Sequence, residues 1–449
     1  MNTIIETFVG AGGAHLGFKN NNFKTIFVND IWKESLQTLK LNNNELTDKQ
    51  IICQDINELV KRDLCKEYDI KQGNLSVLIG GVVCKGFSLA GVRNPYDERN
   101  YLYLSQLKLV EKLRPKISII ENVPGMKNMK ILSKKSLVNK DFIAPISKKI
   151  QIDFEESIDD LCKEIDDIIT NHKNNRGQII AVNKKLSGDI QNQELLEKKK
   201  KLEIEKLQLE KKRNVLEDTL DKYMYSVFDD IIERYKELGY NVYDKILMCS
   251  NYGGFTNRRR LIIVAVRNDL ISNSQKEKII WKWPKITNSD DIKDNLPKPM
   301  VHVDGVLTPH LPKLNTVKDA FDLLDYNNIN NPKTDLDNVP MKHKQTTIEK
   351  FKLITNEKKS DGYSSRGSSN RLSFDKPAPT LVPGHSSFQI HPSEHRSISV
   401  REGAIITGFP STYKFVGSHS DRCVQIGNAI PIHLSNALAK SCVELLSQL

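Results

Sequence analysis

The sequence predicts an α/β protein built on a mostly parallel β-sheet. In the first 125 residues, short apolar runs such as "TIIETFV" and "SVLIGGV" alternate with stretches of helical spacing such as "KESLQTLKLNN". This β-α-β-α order is typical of a parallel sheet that is covered by helices on both faces. Ligands bind such sheets beyond the carboxyl ends of the strands, so polar residues at those ends are candidate site residues.

The individual elements of this part follow from the same patterns. Strands are predicted at "TIIETFV", "FKTIFVN", "SVLIGGV" and "KISIIENV". Helices are predicted at "GAHLGFKN", "KESLQTLKLNN" and "YLSQLKLVEKLRP", because their apolar residues recur every three or four positions.

A long helical hairpin, of coiled-coil type, is predicted within residues 130–222 as an insert into the α/β domain. The polar stretch "NHKNNRG" at 171–177 predicts its turn. The excess of lysine over 195–215 indicates either a DNA contact or a solvated helix face, of which the solvated face is favoured. Two apolar seams indicate the helices: Phe154, Ile158, Leu161, Ile165 and Ile168, then Leu195, Leu202, Leu209, Leu216 and Tyr223.

The remainder of the chain divides into three further segments. The α/β pattern resumes with "VFDDIIERYKELGYNVYDKILMCSNYGG" and the strand "RLIIVAVRN". A loop-rich stretch without clear periodicity then predicts a second, smaller domain, and the last stretch returns to helical spacing. The predicted organisation is therefore 1–129 and 223–274 for the α/β domain, 130–222 for the insert, 275–395 for the smaller domain, and 396–449 as a return to the α/β domain.

Composition favours an intracellular protein with a polyanionic partner. The chain of 449 residues carries 67 Lys and Arg against 56 Asp and Glu, a formal charge of +11. This excess suits nucleic acid, although an ordinary basic surface is the alternative. The seven cysteines are scattered without a CxxC pair, which predicts reduced thiols and no metal site. Neither a signal peptide nor a membrane-spanning run is recognised, so we expect a cytoplasmic protein without a membrane partner.

Polar or glycine residues follow three successive strands and together indicate a nucleoside-type cofactor. "ETFVGAGGAHLGF" places Gly10, Gly12 and Gly13 between a strand and a helix, where glycine lets the backbone approach a ligand closely. Asp30 ends the next strand, where a carboxylate can accept hydrogen bonds from a ribose diol. Asp55 follows the strand after that. Taken singly, the glycines could form a tight turn and each carboxylate could be an ordinary helix cap.

Two further strand ends carry candidate catalytic residues. Cys84 lies in "GGVVCKGFSLAG", where a nearby cation such as Lys85 could lower the pKa of a nucleophilic thiol. A small apolar residue in a tight turn is the alternative for Cys84. Glu121 ends the next strand and is a candidate proton donor, or else the first residue of a helix. Arg258 and Arg260, which share a face of an extended segment, could orient a substrate, or could belong to a solvated basic turn.

Eight motifs stand in a fixed order along the chain and together resemble those of DNA (cytosine-5) methyltransferases of the bacterial modification type. The resemblance covers residues 4–125, 226–325 and 371–445. The motifs are "FVGAGG", "GGVVCKGFSLAG", "DERNYLY", "ENV", "YGGFTNRRR", "RLSFDKPAPTLV", "HPSEHRSISVREGAIITGFP" and "QIGNAIP".

The resemblance implies S-adenosylmethionine as the cofactor and the Rossmann-like fold of S-adenosylmethionine-dependent methyltransferases. Asp30 is expected to hold the ribose, Ile31 to pack on the adenine, and Asp55 to bind the adenine amino group. The remaining expected pocket residues are Phe8, Gly10, Gly12, Gly13, Leu102 and Asn428.

The resemblance also implies methylation of cytosine C5 in a specific duplex DNA sequence, without a metal. Cys84 would add to C6 of a flipped-out base, and Glu121 would contact N3. Arg260 would contact the O2 side, with Arg258 in support. The substrate loop would include Val83, Lys85, Ser88 and Asn122.

Residues 275–395 would form the target-recognition domain, and its variable region would lie near 326–370. Methylation of this kind would protect host DNA from a paired restriction endonuclease in a bacterium or a phage-infected cell. The helical insert could dimerise the protein, clamp DNA or dock that endonuclease.

Three features depart from the family pattern. Val83 stands where the family has proline, Lys85 where it has glutamine, and Thr256 where it also has glutamine. The long insert replaces a short connection. We expect activity to survive, because the backbone carbonyl before Cys84 is kept and a β-branched valine is itself stiff. The alternatives are an RNA (tRNA) cytosine-5 methyltransferase and a catalytically weak DNA-binding relative.

Overall fold

The computed structural model describes two compact units of the chain. The first contains Met1–Val83, Leu102–Pro124 and Tyr235–Leu449, and the second contains Cys84–Tyr101 and Gly125–Arg234. Within the described residues, no helix has both the length and the apolar character that crossing a membrane requires. The described residues are 1–82, 98–132, 156–187, 192–220, 224–272, 280–290, 300–303, 306–309, 311–325, 335–354, 370–381 and 388–449.

The described helices and strands alternate in the first part of the chain as predicted. The strands are β1 (Thr3–Thr7), β2 (Lys24–Asp30), β3 (Ile51–Cys53), β4 (Val77–Gly81), β5 (Ile117–Asn122), β6 (Lys130–Leu132), β7 (Met224–Ser226), β8 (Tyr240–Met248), β9 (Arg259–Arg267), β10 (Met300–Val303) and β11 (Val306–Pro309). The helices are α1 (Gly13–Lys19), α2 (Lys33–Asn42), α3 (Ile56–Leu59), α4 (Leu64–Glu67), α5 (Leu102–Leu113), α6 (Glu156–Leu186), α7 (Gln193–Leu220), α8 (Val227–Glu237), α9 (Asn268–Ser272), α10 (Val317–Phe321), α11 (Gln345–Leu353), α12 (Val400–Thr407), α13 (His419–Asn428) and α14 (Ile432–Leu446).

A mostly parallel sheet forms the centre of the first unit. Its seven described strands run in the order β3-β2-β1-β4-β5-β9-β8. The first five strands in that order are parallel, and β9 is antiparallel to both of its neighbours. This confirms the predicted fold class. It also places the carboxyl ends of β1, β2, β4 and β5 at one edge of the sheet, which is where such folds bind ligands.

Both faces of this sheet are covered. On one face, apolar side chains of β1, β4, β5 and β9 pack with Phe18 of α1 and Leu434 and Leu438 of α14. On the other face, Thr7 donates a hydrogen bond of 2.5 Å to Gln106 of α5. Because neighbouring residues of a strand point to opposite faces, one strand such as β1 contributes to both layers.

The C-terminal helices share an apolar core with part of the predicted smaller domain. Val317 and Phe321 of α10 belong to the same buried cluster as Phe388 and as Ile405 of α12. The described residues on both sides of position 395 therefore build one core within the first unit. Residues 326–334 and 355–369 of the predicted recognition region lie outside the described residues, and α11 lies between them.

The second unit contains two long helices that pack on each other, α6 and α7. Ile165 and Ile168 of α6 and Leu202 of α7 are buried at their contact, whereas the side chains of Phe154 and Tyr223 lie outside the described residues. At the base of the hairpin, β6 and β7 pair in antiparallel register, with Leu132 opposite Met224. The two ends of the insert are therefore adjacent.

The predicted turn at 171–177 is wrong, because α6 continues through it to Leu186. Asn175 is buried at the helix contact, and its Nδ2 donates to the Leu202 carbonyl (3.1 Å) and to Glu205 Oε2 (3.0 Å). The amide nitrogen of Asn175 thus finds two acceptors across the hairpin, and the helix continues through this residue. Gly177 costs the helix only about 1 kcal/mol relative to alanine, which packing can offset.

Candidate active site

The glycine loop between β1 and α1 has an unusual backbone conformation. Phe8 has φ +52°, Gly10 has φ +56° and Gly12 has φ +91°. Glycine adopts such angles without cost, but a bulky side chain at positive φ is strained and requires support from its surroundings. A Cβ built on Gly10 would have no atom within 4 Å, so this part of the loop faces open space.

Asp30 supports this loop from the end of β2. Its Oδ2 accepts a hydrogen bond from the Gly10 N–H (2.8 Å), and its Oδ1 accepts one from the Trp32 N–H (2.9 Å). Burial raises the pKa of the Asp30 carboxyl, and hydrogen bonds from the Trp32, Gly10 and Ile31 amides act in the opposite direction. The neighbouring Ile31 side chain is 67 % exposed. An exposed apolar side chain beside a half-buried carboxylate suits a ligand with one flat apolar face and one polar edge.

Asp55, Leu102 and Asn428 lie at three other positions in the first unit. Asp55 caps α3, because its Oδ1 accepts the Asn57 N–H at 2.7 Å. This is the ordinary capping role that the residue pattern left open. Leu102 is half-buried as the first residue of α5, and Asn428 is exposed as the last residue of α13.

Asn428 is brought close to the glycine loop by the segment that follows it. A Cβ built on Gly13 would overlap the Ile430 carbonyl and would lie 3.1 Å from the Ala429 Cβ. The start of α1 and the residues after α13 are therefore packed backbone against backbone. Glycine is required at position 13 for this contact, in addition to any contact with a ligand.

Glu121 and Arg260 form a buried ion pair at the same edge of the sheet. Glu121 near the end of β5 and Arg260 near the start of β9 are each 7 % exposed, and Arg260 Nε lies 2.5 Å from Glu121 Oε1. The other carboxylate oxygen, Oε2, would be 3.4 Å from a Cβ built on Gly81. The carboxylate therefore extends over the last residue of β4, the strand that leads to Cys84.

Asn122 fixes the chain just before the predicted nucleophile. Its Nδ2 donates to the Val82 carbonyl (3.1 Å), and its Oδ1 accepts the Val123 N–H (2.8 Å). Val83, Cys84, Lys85 and Ser88 lie outside the described residues. The structure thus places the residues around the nucleophile's strand, and the roles assigned to the cysteine and its loop stay predictions.

Arg258 and Arg260 are both buried but have different partners. Arg258 donates to the Gly427 carbonyl (2.6 Å) and to the Leu381 carbonyl (3.3 Å), whereas Arg260 pairs with Glu121. Arg258, the residue before β9, therefore links the start of that strand to the end of α13. Thr256, which departs from the family pattern, is also buried, and its hydroxyl donates to the Pro379 carbonyl at 3.2 Å.

Sequence reasoning missed a buried polar cluster on the inner side of the glycine loop. His15 Nδ1 lies 2.6 Å from Glu6 Oε1, and the two side chains are 2 % and 1 % exposed. The Tyr413 hydroxyl donates to the Ala11 carbonyl at 2.7 Å. The only sequence signal for this cluster is an acidic residue inside an otherwise apolar strand, "TIIETFV".

The fold and the glycine loop together define the class as Rossmann-like α/β, in which ligands bind at the carboxyl ends of the strands. The family model described as C-5 cytosine-specific DNA methylase matches residues 2–217 and 209–444. The chain therefore belongs to the family of C-5 cytosine-specific DNA methylases, which confirms the predicted enzyme class. Membership implies S-adenosylmethionine as the methyl donor and DNA as the substrate.

Individual relatives agree with this assignment over nearly the whole chain. The type II methyltransferase M.Eco47II of Escherichia coli is 25 % identical over 453 residues, covering 100 % of this chain and 80 % of its own. The type II methyltransferase M.DdeI of Desulfomicrobium norvegicum is 25 % identical over 472 residues, covering 97 % and 87 %. These relatives confirm the resemblance to restriction-modification enzymes.

Solved structures share the fold. A prophage-encoded protein of E. coli described as a DNA modification methyltransferase superposes with a TM-score of 0.58 at 18 % identity, covering 100 % of both chains. The Dnmt2 methyltransferase of S. pombe superposes with a TM-score of 0.51 at 13 % identity, covering 99 % of both chains.

Proposed function

We propose that this protein methylates C5 of a flipped-out cytosine within a specific sequence of duplex DNA, through a covalent bond between Cys84 and C6 of the base. The observation that carries the proposal is the buried ion pair between Glu121 and Arg260. It lies at the end of the strand next to β4, and Cys84 follows β4 by three residues. The Cys84 thiol would then join the carboxyl group and the guanidinium at this edge of the sheet.

Cytosine C5 is too weak a nucleophile to react without help, and Cys84 would supply it. Addition of its thiolate to C6 breaks the C5–C6 double bond and turns the ring into an enamine with electron density at C5. S-adenosylmethionine, when bound, supplies the electrophilic methyl group that C5 attacks. Loss of the C5 proton to a base then allows β-elimination, which restores the double bond and releases the Cys84 thiolate.

Glu121 would hold the cytosine ring during the addition. Its Oε1 is engaged by Arg260, and its Oε2 extends over Gly81 toward the strand that leads to Cys84. A carboxyl group in this position can bond N3 of the base and stabilise the charge that develops there. Arg260 would fix the carboxyl and contact O2, while Arg258 keeps the end of α13 in place.

The residues of the glycine loop fit the adenosine part of the cofactor. The loop is open at Gly10, and the side chain of Ile31 is exposed beside it. Asp30 would accept the ribose hydroxyls, and Ile31 would pack on the adenine. Asp55 would bind the adenine amino group with its second oxygen, since the first caps α3. Phe8, Gly12, Gly13, Leu102 and Asn428 would complete the pocket.

The substrate would be duplex DNA, so the target base would have to leave the helix to reach the site. Residues 275–395 would read the sequence, and the net charge of +11 would favour phosphate contacts. The product, a methylated site, would be resistant to a restriction endonuclease that cuts the same sequence. The insert of 130–222 would supply a contact to DNA, to a second copy or to that endonuclease.

A methyl-transfer assay tests the nucleophile directly. We expect the wild type to transfer labelled methyl to duplex DNA and not to tRNA, and we expect Cys84→Ser to lose transfer. Cys53→Ser is the matched control, because Cys53 is an exposed free thiol at the end of β3. Transfer that survives in Cys84→Ser would remove Cys84 from the mechanism.

A trapping experiment tests the covalent step separately. DNA with 5-fluorocytosine at the target cannot lose a proton from C5, so the adduct with Cys84 should persist under denaturing conditions. The target sequence that this DNA must contain is obtained first, by sequencing the methylated cytosines in cells that express the protein. A protein that binds the DNA but forms no adduct would be the catalytically weak relative instead.

A further inference from the structure

We propose that Glu6, His15 and Tyr413 are positioning residues that hold the glycine loop in its cofactor-binding conformation from the buried side. This inference rests on the proposed function, because it takes the loop to be the cofactor cradle. The three residues would not touch the cofactor. They would act through the backbone of residues 8–13, and their loss would weaken cofactor binding without slowing the chemistry.

The loop needs such support because its conformation is strained. Phe8 at φ +52° adopts a left-handed conformation that costs a non-glycine residue free energy and persists only when its surroundings impose it. Two described hydrogen bonds join the loop to β2, from the Val9 N–H to the Asn29 carbonyl (3.1 Å) and from the Gly10 N–H to Asp30 (2.8 Å). Asp30 is also the expected ribose ligand, so the support that is independent of the ligand comes from the Asn29 carbonyl and from the buried side.

Glu6 and His15 close the loop at its base. Glu6 lies two residues before Phe8, and His15 lies two residues after Gly13, so their contact of 2.6 Å joins the two ends of the loop. Both side chains are at most 2 % exposed, and neither Glu6 Oε2 nor His15 Nε2 has another hydrogen-bond partner among the described residues. Each partner therefore depends on the other, and removal of one leaves a buried polar group unpaired.

Tyr413 holds the middle of the loop. Its hydroxyl donates to the Ala11 carbonyl at 2.7 Å, and a Cβ built on Gly12 would lie 3.0 Å from the same hydroxyl oxygen. The side chain is 3 % exposed, and burial raises the pKa of the Tyr413 hydroxyl, so the group stays protonated and keeps donating. Residues before, after and beneath the loop thus fix it at three points.

The decisive variant is Tyr413→Phe, which removes one oxygen atom and keeps the ring. We expect its KM for S-adenosylmethionine to rise about five- to tenfold, because one buried hydrogen bond contributes roughly that factor to an equilibrium. We expect kcat to stay within about twofold, because saturating cofactor restores the loop and the reacting groups are elsewhere. Calorimetric affinity for S-adenosylhomocysteine should fall by the same factor as KM rises.

His15 offers a test by rescue. His15→Ala should raise KM like Tyr413→Phe, whereas His15→Asn, whose amide nitrogen can reach the position of Nδ1, should keep KM within about twofold of the wild type. The matched control is Tyr235→Phe. Tyr235 is another fully buried tyrosine whose hydroxyl is bonded to Ser118, but it is remote from the loop. Removal of the Tyr235 hydroxyl should lower the midpoint of unfolding without changing the KM for S-adenosylmethionine.

The outcomes separate this inference from the proposed function. A wild type that does not bind S-adenosylhomocysteine would overturn the proposed cofactor site, and the inference with it. A wild type that binds, together with an unchanged KM in Tyr413→Phe, would overturn the inference alone. The inference would also be overturned if Tyr235→Phe raised KM as much as Tyr413→Phe does, because the effect would then reflect general loosening.

Discussion

Two arginines at alternate positions of one segment have different tasks. Arg258 bonds two backbone carbonyls and therefore acts on the position of α13. Arg260 bonds the Glu121 carboxylate and therefore acts on a group that we expect to touch the base. Their alternate positions predict that both side chains project from one face of an extended segment. The same pattern does not predict which of the two arginines pairs with a carboxylate.

Replacement of Arg260 by lysine should slow catalysis while leaving the protein folded. A lysine keeps the charge but cannot reproduce the planar contact of Nε with Glu121 Oε1, so the carboxyl loses a charge-assisted hydrogen bond of about 1.5–3 kcal/mol. We expect kcat/KM to fall roughly 10- to 100-fold. Arg259→Lys is the control, since Arg259 is exposed. Equal rates in the two variants would contradict a catalytic role for the ion pair.

His391 should make the protein less stable in mild acid. Burial lowers the pKa of His391, and its Nδ1 accepts the Glu394 N–H at 3.1 Å, so the folded state favours the neutral ring. The unfolded chain has a histidine pKa of about 6.5. The stabilising contribution is therefore complete above that pH and is lost as pH falls through the lower pKa of the folded state.

Urea unfolding between pH 7.5 and pH 5 measures this effect. The unfolding midpoint should fall less steeply with pH in His391→Asn than in the wild type. His395→Asn, at an exposed position four residues along, is the control and should keep the steep slope of the wild type. Parallel slopes for all three proteins would assign the acid sensitivity to other groups.

At the scale of elements, the contact between α1 and α14 depends on one small residue. A Cβ built on Gly17 would overlap Ser435 Oγ and lie 2.5 Å from the Asn436 backbone nitrogen. A glycine inside a helix lowers its intrinsic stability, so its presence in α1 indicates that the close approach of α14 outweighs that cost. Ser435 adds a hydrogen bond of 2.9 Å to the Gly13 carbonyl, which links the same two helices.

The change from glycine to alanine should have opposite effects in α1 and in α6. Gly17→Ala should lower the free energy of unfolding by about 1–3 kcal/mol, because the added methyl group forces α1 and α14 apart. Gly177→Ala should raise the stability of α6 by up to about 1 kcal/mol, since nothing lies within 4 Å of the added atom. Denaturant titrations of both variants measure the difference. Destabilisation by both would contradict the packing argument.

The hairpin shows where prediction from sequence succeeds and where it fails. The apolar seams predict two packed helices, because the buried face of a helix pair requires apolar residues at alternating intervals of three and four positions. The predicted turn falls at a cluster of Asn and Gly, since those residues usually end helices. The amide nitrogen of Asn175 instead donates two hydrogen bonds across the hairpin, and this contact joins positions that no local pattern connects.

The candidate site has the same limits. Strand ends in a parallel sheet meet at one edge, so local patterns suffice to assemble Asp30, Glu121 and the glycine loop. The partners of Arg258 and the cluster around Glu6 depend on segments far apart in the chain. Tyr413 reaches Ala11 through a loop without periodicity, and no spacing rule predicts such a contact.

At the scale of the whole molecule, the insert should be removable. Leu132 and Met224 are opposite each other in the β6–β7 pair, so a two-residue Asn-Gly turn can connect them. We expect a variant with Asn-Gly in place of residues 133–223 to fold and to bind S-adenosylhomocysteine like the wild type. Methyl transfer to DNA, measured at saturating cofactor, then reports the contribution of the hairpin alone.

Three results of that experiment are informative in different ways. Transfer within about tenfold of the wild type would mean that the hairpin serves a partner or a second copy instead of the reaction. Loss of transfer with unchanged cofactor binding would mean that the hairpin engages DNA. Loss of cofactor binding would contradict the expectation that the sheet and the glycine loop fold without it.

The packing of α1 against α14 also has a consequence for synthesis on the ribosome. The chain is made from its N-terminus, yet the glycine loop is held by Tyr413, and the helix after it rests on residues 432–446. The first βα unit therefore leaves the exit tunnel before residues 432–446 do, and it cannot reach its final form until those residues have also emerged. Chains that stop before residue 432 would then lack a formed cofactor cradle, which links the onset of methylation to the synthesis of α14.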